Sequence, residues 1–236
     1  MFKWTQESIA YMDDACRRTD FHRKLTAELQ PYLRETDCVC DAGCGLGYLS
    51  LSLAPYVGAV TAVERDSQAL AVLEREVKAR GIANVTAVQD DVLAYRPDTR
   101  FDAMVFCFFD SMEEILDAAR RQCRGTVLAI VRDDERHRFS GALRGPGRHS
   151  FGYACGVLDA QGVPFTARRE ALDFPQPFRT IADAGRFLTL YGKGETAEED
   201  VRARLGSTGD AEFPWELPGV RHFGIVRFSM KEGENR

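Results

Sequence analysis

Short apolar runs alternate with amphipathic segments along the first 131 residues of the chain. Each run has the length of a buried strand, and the segments between them repeat apolar positions every three or four residues, which is typical of a helix. Continuous apolar strands separated by helices indicate a parallel sheet covered on both faces, so we predict a doubly wound α/β fold. The predicted strands are 37–40, 58–63, 85–88, 101–108 and 126–131, and the predicted helices are 20–33, 48–56, 66–81 and 111–122.

Two of these helices carry signals at their ends. Asp66 is an N-cap residue for the third helix, and Gly81 is a glycine of the kind that terminates helices. Ser111 and Glu114 have the spacing of a capping box, which begins the fourth helix.

The remainder of the chain is less regular. After a Gly/Pro/Arg loop at 141–147, the pattern predicts helices at 150–159, 180–191 and 196–205 and strands at 165–174 and 222–229. We expect these elements to complete the same sheet rather than to form a second domain.

Composition narrows the class of protein. The 236 residues carry a net charge of −5 and are 44% apolar, which suits one large domain with a hydrophobic core. No run approaches the roughly 20 apolar residues of a membrane span, and the acidic balance argues against nucleic acid as the main partner. Seven scattered cysteines without a secretion signal lead us to expect reduced thiols and a cytoplasmic location.

The turn after the first predicted strand contains three alternating glycines behind an acid. It reads Asp41-Ala-Gly43-Cys-Gly45-Leu-Gly47. A dinucleotide fingerprint would place its third glycine at position 48, which is Tyr48 here. Glycine permits positive φ and lets a ligand approach the backbone, whereas the acid would repel a pyrophosphate and attract a cation. The turn therefore suits a nucleoside that carries positive charge.

Three further features follow this turn in order. Glu64 ends the second predicted strand, Asp91 follows the third, and an aromatic–acid pair at 101–102 begins the fourth. With the glycine turn, they resemble the class I S-adenosylmethionine-dependent methyltransferases, whose first motif reads D/E-x-G-x-G-x-G. The resemblance covers residues 35–131.

The resemblance implies a Rossmann-like, mostly parallel seven-stranded sheet, an N-terminal helical lid and S-adenosylmethionine as cofactor. Glu64 would hold the two ribose hydroxyls, since a carboxylate accepts two hydrogen bonds from a cis-diol, and Asp91 would accept one from the adenine amino group. The cofactor-binding residues that follow from it are Asp41, Gly43, Cys44, Gly45, Gly47, Glu64, Arg65, Asp91, Val92 and Cys107.

The same residues are also compatible with roles that involve no cofactor. The three glycines suit a tight turn without a ligand, and Glu64 suits an ordinary acid at a helix N-terminus. Asp90 and Asp91 are adjacent, so that one of them is expected to be a solvated turn residue; Asp91 is favoured for the adenine because it directly precedes Val92.

The candidates for acid–base catalysis lie beyond the fourth and fifth predicted strands. They are Asp110, His137 and His149, with Tyr153 as a further possibility. Asp110 also suits a plain helix N-terminus, and each histidine also suits a surface role. Five arginines between positions 132 and 148 predict either a solvated loop or recognition of a carboxylate or phosphate on the acceptor.

Metal binding is not indicated. Cys38, Cys40 and Cys44 have the spacing C-x-C-x₃-C, which is not a usual zinc pattern, and small buried thiols are common in protein cores. We therefore predict no metal site.

Together these observations predict a methyltransferase that acts on a small molecule. The arginine run allows this acceptor to be anionic, and no membrane partner is expected. The alternatives are an RNA or protein methyltransferase and a catalytically silent S-adenosylmethionine-binding module; a nicotinamide-dependent oxidoreductase is disfavoured by Tyr48. Residues 107–110 read Cys-Phe-Phe-Asp and lack the prolines that follow the fourth strand in methyltransferases of base amines or glutamine. The resemblance implies a helical lid segment at 1–34, with Trp4 as a lid residue, and an S-adenosylmethionine-binding methyltransferase domain at 35–236, with substrate-side insertions around 133–160 and 192–220. The oligomeric state is not indicated.

Overall fold

A seven-stranded sheet runs through the chain, as seen in a computed structural model that describes residues 4–133, 147–191 and 197–230. The strands of the described residues are β1 (Cys38–Ala42), β2 (Ala59–Glu64), β3 (Val85–Gln89), β4 (Phe101–Cys107), β5 (Cys123–Arg132), β6 (Phe165–Asp173), β7 (Gln176–Phe178), β8 (Gly206–Ser207), β9 (Trp215–Leu217) and β10 (Val220–Ser229). The strand order of the large sheet is β3-β2-β1-β4-β5-β10-β6; β1 to β5 are parallel, and β10 is antiparallel to both of its neighbours.

Helices cover both faces of this sheet, which confirms the doubly wound fold. The helices are α1 (Gln6–Arg18), α2 (Phe21–Leu29), α3 (Tyr48–Leu53), α4 (Ser67–Arg80), α5 (Met112–Gln122), α6 (Phe151–Ala160), α7 (Ile181–Tyr191) and α8 (Glu198–Arg204). α1 to α4 pack on one face through a cluster that includes Phe21 and Leu73, and α5 and α6 pack on the other through Leu116 and Leu158. None of the described helices is long and apolar enough to cross a membrane.

The predicted helix ends are confirmed by their hydrogen bonds. The Asp66 carboxylate accepts from the backbone amide of Gln68 at 2.9 Å, and Gly81 ends α4 with a φ of +63°. The Ser111 and Glu114 side chains cap each other's backbone at the start of α5. These capping residues therefore set the two ends of α4 and the start of α5.

The C-terminal elements complete the sheet only in part. The two predicted C-terminal strands join it as β6 and β10, as expected, whereas β7, β8 and β9, which the pattern does not predict, form a separate three-stranded sheet. α7 and α8 pack on the small sheet around Phe178 and Phe187, and the ring of Tyr11 from α1 lies 5.0 Å from that of Phe187. Strands of two or three residues are too short to show a hydrophobic period.

The strand order reverses between β1 and β4, because β2 and β3 lie on one side of β1 while β4 and β5 lie on the other. In open α/β sheets, ligands bind outside the carboxyl ends of the strands at such a switch point. The glycine turn follows β1 and therefore lies at this position.

Candidate active site

The glycine turn is held against the end of β2. The backbone amides of Gly43 and Cys44 both donate to the Val63 carbonyl, at 2.8 and 3.0 Å. Gly43, Gly45 and Gly47 have φ values of +72°, +54° and +75°, a conformation that side chains with a Cβ rarely adopt. The three glycines are therefore required by the path of the backbone between β1 and α3.

Glu64 connects this turn to the beginning of α4. One oxygen of its carboxylate accepts from the backbone amide of Gly45 and the other from that of Asp66, both at 3.0 Å. The residue is 9% exposed. Each carboxylate oxygen has more than one acceptor position, so these two bonds leave acceptor capacity for hydroxyl groups of a ligand. Because Asp66 is the N-cap residue of α4, the bond from its amide also gives Glu64 a role at the N-terminus of that helix. This role is compatible with binding a ligand.

Asp41 places a carboxyl group behind the turn. It is 1% exposed, and the Ser50 hydroxyl donates to it at 2.5 Å. Burial raises the pKa of Asp41 to about 6, and the charge of Glu64 adds to this rise while the Ser50 hydrogen bonds oppose it. A cation placed nearby would stabilise the charged form of this carboxyl group.

The two adjacent aspartates after β3 have different surroundings. Asp90 is exposed and its carboxylate accepts from the backbone amide of Asp91 at 2.7 Å. Asp91 is half-buried, and its own carboxylate accepts from the amide of Leu93 at 2.9 Å. Both therefore shape the turn, and the assignment of the adenine to Asp91 stays a prediction.

Aromatic side chains of this chain stand against two of the glycines. A Cβ built on Gly43 would lie 2.6 Å from the Phe109 ring, and one built on Gly45 would lie 3.1 Å from the Trp4 indole. The expectation that both glycines leave the backbone open to a ligand is thus wrong on their Cβ side. A ligand can approach there only when these rings move. The role of residues 1–34 as a lid stays a prediction. Within this segment, Trp4 lies against the glycine turn.

The other predicted cofactor residues lie at the same edge with different exposure. Cys44 and Cys107 are half-buried, and burial raises the pKa of each thiol, so both are neutral at pH 7. The Arg65 side chain is exposed, whereas that of Val92 is buried among core residues. Their contact with a cofactor stays a prediction.

Two of the three catalytic candidates lie together. The Nδ1 atom of His149 is 3.6 Å from a carboxylate oxygen of Asp110, and the side chains are 51% and 26% exposed. Asp110 also accepts from the amide of Ser111 at 3.2 Å, so it takes part in the helix N-terminus as well. His137 lies outside the described residues, as do Arg136, Arg138 and Arg144 of the arginine run and parts of both predicted insertions, 134–146 and 192–196.

Two residues at this edge carry no signal in the sequence pattern. Phe108 has a φ of +53° and is the one residue other than glycine with positive φ in the described part of the chain. Backbone strain of this kind occurs at functional sites. The guanidinium carbon of Arg221 lies 4.5 Å from the centre of the Phe108 ring. The strain and the contact both come from tertiary packing, which local sequence does not reveal.

A cavity of about 470 Å³ opens at the opposite, amino edge of the sheet. Arg34, Arg124 and Arg227 line it together with Asp37 and Asp102. The Arg124 guanidinium pairs with the Asp102 carboxylate at 2.7 Å. This cavity is remote from the glycine turn and shares no lining residue with it.

Residues 39–134, from β1 to just after β5, match the family model described as "Methyltransferase domain". The chain resembles the solved structure of the YcgJ protein from Bacillus subtilis, with 13% identity, coverage of 91% of this chain and 100% of that one, and a TM-score of 0.55. It also resembles the structure of a putative methyltransferase from Bacillus halodurans C-125, with 15% identity, coverage of 89% of this chain and 98% of that one, and a TM-score of 0.56.

A putative RNA methyltransferase from Pyrococcus horikoshii gives 16% identity, coverage of 90% and 86%, and a TM-score of 0.51. Identities at this level show a common fold. No curated protein sequence matches the chain. The domain match and the shared fold agree with the strand order and the glycine turn, so residues 39–134 of this chain are similar to a methyltransferase domain.

Proposed function

We propose that this chain is an S-adenosylmethionine-dependent methyltransferase that acts on a small molecule. The observation that carries the proposal is the Glu64 carboxylate, which is hydrogen-bonded to Gly45 of the glycine turn and lies near the buried Asp41. Carboxylates at the ends of β1 and β2 favour a ligand that offers a positive charge and a diol. A phosphate-rich cofactor would be repelled by the same groups.

The residues present fit this cofactor. Glu64 would accept from the ribose hydroxyls, Asp91 from the adenine amino group, and Asp41 would supply negative charge near the cationic end. When bound, S-adenosylmethionine supplies an electrophilic methyl group on a sulfonium. The chain then has to hold the acceptor in line with that methyl group, and positioning of this kind accounts for much of the rate of such displacements.

Asp110 and His149 are the proposed acid–base pair. The Nδ1 atom of His149 faces Asp110, which leaves Nε2 to take a proton from the acceptor. A carboxylate beside the imidazole fixes its orientation and stabilises the protonated ring. A base is needed only for acceptors that lose a proton as they are methylated, such as hydroxyl and ammonium groups.

A small acceptor is favoured by the charge of the chain. The net charge of −5 lacks the basic excess that phosphate binding usually requires. Methylation of RNA or of protein, and cofactor binding without turnover, are the competing outcomes of the two experiments that test the proposal.

The first experiment is calorimetric titration of the chain with S-adenosylmethionine, S-adenosylhomocysteine and NAD. We expect the two adenosine compounds to bind and NAD not to bind. The matched variants Asp91→Asn and Asp90→Asn test the adenine contact: the first should lose at least tenfold in affinity and the second should not. Binding of NAD in place of the sulfonium compound would overturn the proposal.

The second experiment follows labelled methyl groups from S-adenosylmethionine into a metabolite extract, total RNA and a protein extract, each offered separately. The proposal expects transfer to the metabolite fraction. Transfer to RNA or to protein alone would contradict the small-molecule acceptor. Binding of the cofactor without transfer to any fraction would indicate the silent module.

A further inference from the structure

Arg221 places a positive charge at the carboxyl edge of the sheet. It belongs to β10, in which Phe223 is paired with Arg132, the last residue of β5. Arg221 precedes Phe223 by two residues, so it continues on the same face and extends past the end of β5. This is the edge at which the glycine turn lies.

Aromatic rings from three other segments surround the Arg221 guanidinium. Its carbon lies 4.5 Å from the ring centre of Phe108, 5.1 Å from that of Phe174 and 5.7 Å from that of Phe21. Phe21 and Phe174 are buried, whereas Arg221 and Phe108 are only partly buried. The cation thus stands on an apolar floor with one side towards the surface. Ring faces stabilise a guanidinium and leave its N–H groups directed along its plane.

The turn after β4 connects this cation to the proposed methyl donor. Phe108 contacts Arg221, and the next residue, Phe109, stands against Gly43 of the glycine turn. The Phe108 side chain packs on the face that α1 to α4 cover and that of Phe109 on the face that α5 and α6 cover, so one turn at the carboxyl edge of the sheet contacts both Arg221 and the glycine turn. The charge of Arg221 is also felt at the end of β4, where it lowers the pKa of Cys107 against the opposing effects of burial and Asp41.

We infer that Arg221 binds a carboxylate of the acceptor and that Phe108 packs against the apolar body of the same molecule. The inference rests on the proposed function, because it takes the neighbouring turn to be the donor site. A guanidinium matches a planar carboxylate with two parallel hydrogen bonds, and an ion pair on an apolar floor is screened less than one in water. The substrate class is therefore a small carboxylic acid with an aromatic or aliphatic body.

The test uses the full chain saturated with S-adenosylhomocysteine. Benzoate and phenylacetate are titrated into this complex beside benzamide and phenylacetamide, which keep the shape and lose the charge, and phenylphosphonate serves as the phosphate-like probe. The titrations are repeated with Arg221→Gln, Arg221→Lys and Arg227→Gln. Arg227 is the matched control: it lies on the same face of β10, six residues further on, with its guanidinium carbon 5.2 Å from the centre of the Tyr32 ring at the opposite edge.

We expect at least one carboxylate to bind tenfold or more tightly than its amide. Arg221→Gln should abolish that preference, Arg221→Lys should keep part of it because the charge remains, and Arg227→Gln should leave it unchanged. Equal binding of acids and amides, no binding of the acids, or a preference that survives Arg221→Gln would overturn the inference. Tighter binding of the phosphonate than of both carboxylates would overturn the choice of carboxylate.

The experiment distinguishes a failure of the proposed function from a failure of the role inferred for Arg221. If the unmodified chain does not bind S-adenosylhomocysteine, the proposed function fails before any acid is added. If that compound binds and the acids show no dependence on Arg221, only the inference fails. Thermal unfolding and S-adenosylhomocysteine affinity show whether each variant is folded. If Arg221→Gln does not fold, the test still has two readouts: the Arg221→Lys variant, and the comparison of acids with amides on the unmodified chain.

Discussion

The Glu64 carboxylate accepts a hydrogen bond from the backbone amide of Gly45 at 3.0 Å and thereby ties the end of β2 to the turn that follows β1. A side chain proposed to bind the ribose thus also holds the loop that would surround the cofactor. Binding and loop geometry are coupled through one carboxylate, and a variant at this position has to be tested for both.

Glu64→Gln should weaken S-adenosylhomocysteine binding by at least tenfold, because an amide group retains only one acceptor oxygen and loses the charge. It should also lower the free energy of unfolding by about 1 to 3 kcal/mol, since one of two partly buried backbone amides loses its charged partner. Calorimetry and urea denaturation measure the two effects. Glu74→Gln, an exposed change on α4, is the control for both. Unchanged affinity in Glu64→Gln would refute the ribose role.

Asp41 should make stability depend on pH in the acidic range. Its pKa is about 6 in the fold against an ordinary value of 3.8, so the folded chain holds a proton that the unfolded chain releases. The stabilising effect of the protonated form is present below pH 4 and is lost as pH rises through 6, by roughly 3 kcal/mol in total. The unfolding free energy of the unmodified chain minus that of Asp41→Asn should therefore fall between pH 4 and pH 7. A flat difference across urea titrations at pH 4, 5, 6 and 7 would show that Asp41 titrates normally.

Trp4 should report on cofactor binding. Its indole contacts the Cβ side of Gly45, and Trp215 is the other tryptophan in the sequence. In Trp215→Phe, the fluorescence of Trp4 should change in intensity or in wavelength when S-adenosylhomocysteine is added, since the ligand must displace or cover the ring. Trp4→Phe should lose this signal. A saturable calorimetric titration with no fluorescence change in Trp215→Phe would mean that Trp4 does not respond to the ligand.

Asp110 and His149 should act as a unit in methyl transfer. Once an acceptor that loses a proton is in hand, Asp110→Asn and His149→Gln should each lower kcat by about 10² to 10⁴-fold, with cofactor affinity unchanged. The double variant should be little slower than the worse single one, because partners in one catalytic pair are not additive. Single-turnover measurements with saturating cofactor give these rates. Additive losses would indicate two independent roles.

Gly47→Ala should destabilise the chain more than Gly162→Ala. Both glycines have positive φ, +75° and +64°, so both variants lose about 1 to 2 kcal/mol from backbone strain. A Cβ on Gly47 would also lie 2.5 Å from the Leu73 side chain, whereas one on Gly162 meets nothing within 4 Å. We expect this crowding to cost a further 1 to 3 kcal/mol, measured by urea denaturation. Equal losses would mean that α4 moves away without cost.

The hydrophobic pattern predicts β1 to β5 within three residues at each end, because buried strands and amphipathic helices have different periods. The largest error is the start of β5, where Gly125 reads as a break. A Cβ at Gly125 would lie 2.1 Å from the Asp102 carbonyl oxygen, and the pairing of β4 with β5 is irregular there. Glycine at that point marks a close approach of two strands within the sheet, which local sequence does not distinguish from a turn.

The candidate site could be predicted only where it depends on local sequence. The glycine turn and the acids at the strand ends follow from their order along the chain, because parallel strands bring their carboxyl ends to one edge. The pairing of Asp110 with His149 joins residues 39 positions apart, across a segment outside the described residues. Arg221 and Phe108 are separated by more than 100 positions, and no local pattern relates them.

The sequence by itself determined the order of β1 to β6 and β10 and of α2 to α8, the ends of α4, the start of α5 and the acidic character of the glycine turn, since each depends on neighbouring residues. The tertiary structure decided which side chains meet: Trp4 against Gly45, Glu64 on the amide of Gly45, and Arg221 among three rings. It also separated β7, β8 and β9 from the main sheet. These contacts join distant parts of the chain, so they are fixed by the packing of whole elements and not by the spacing of residues along one of them.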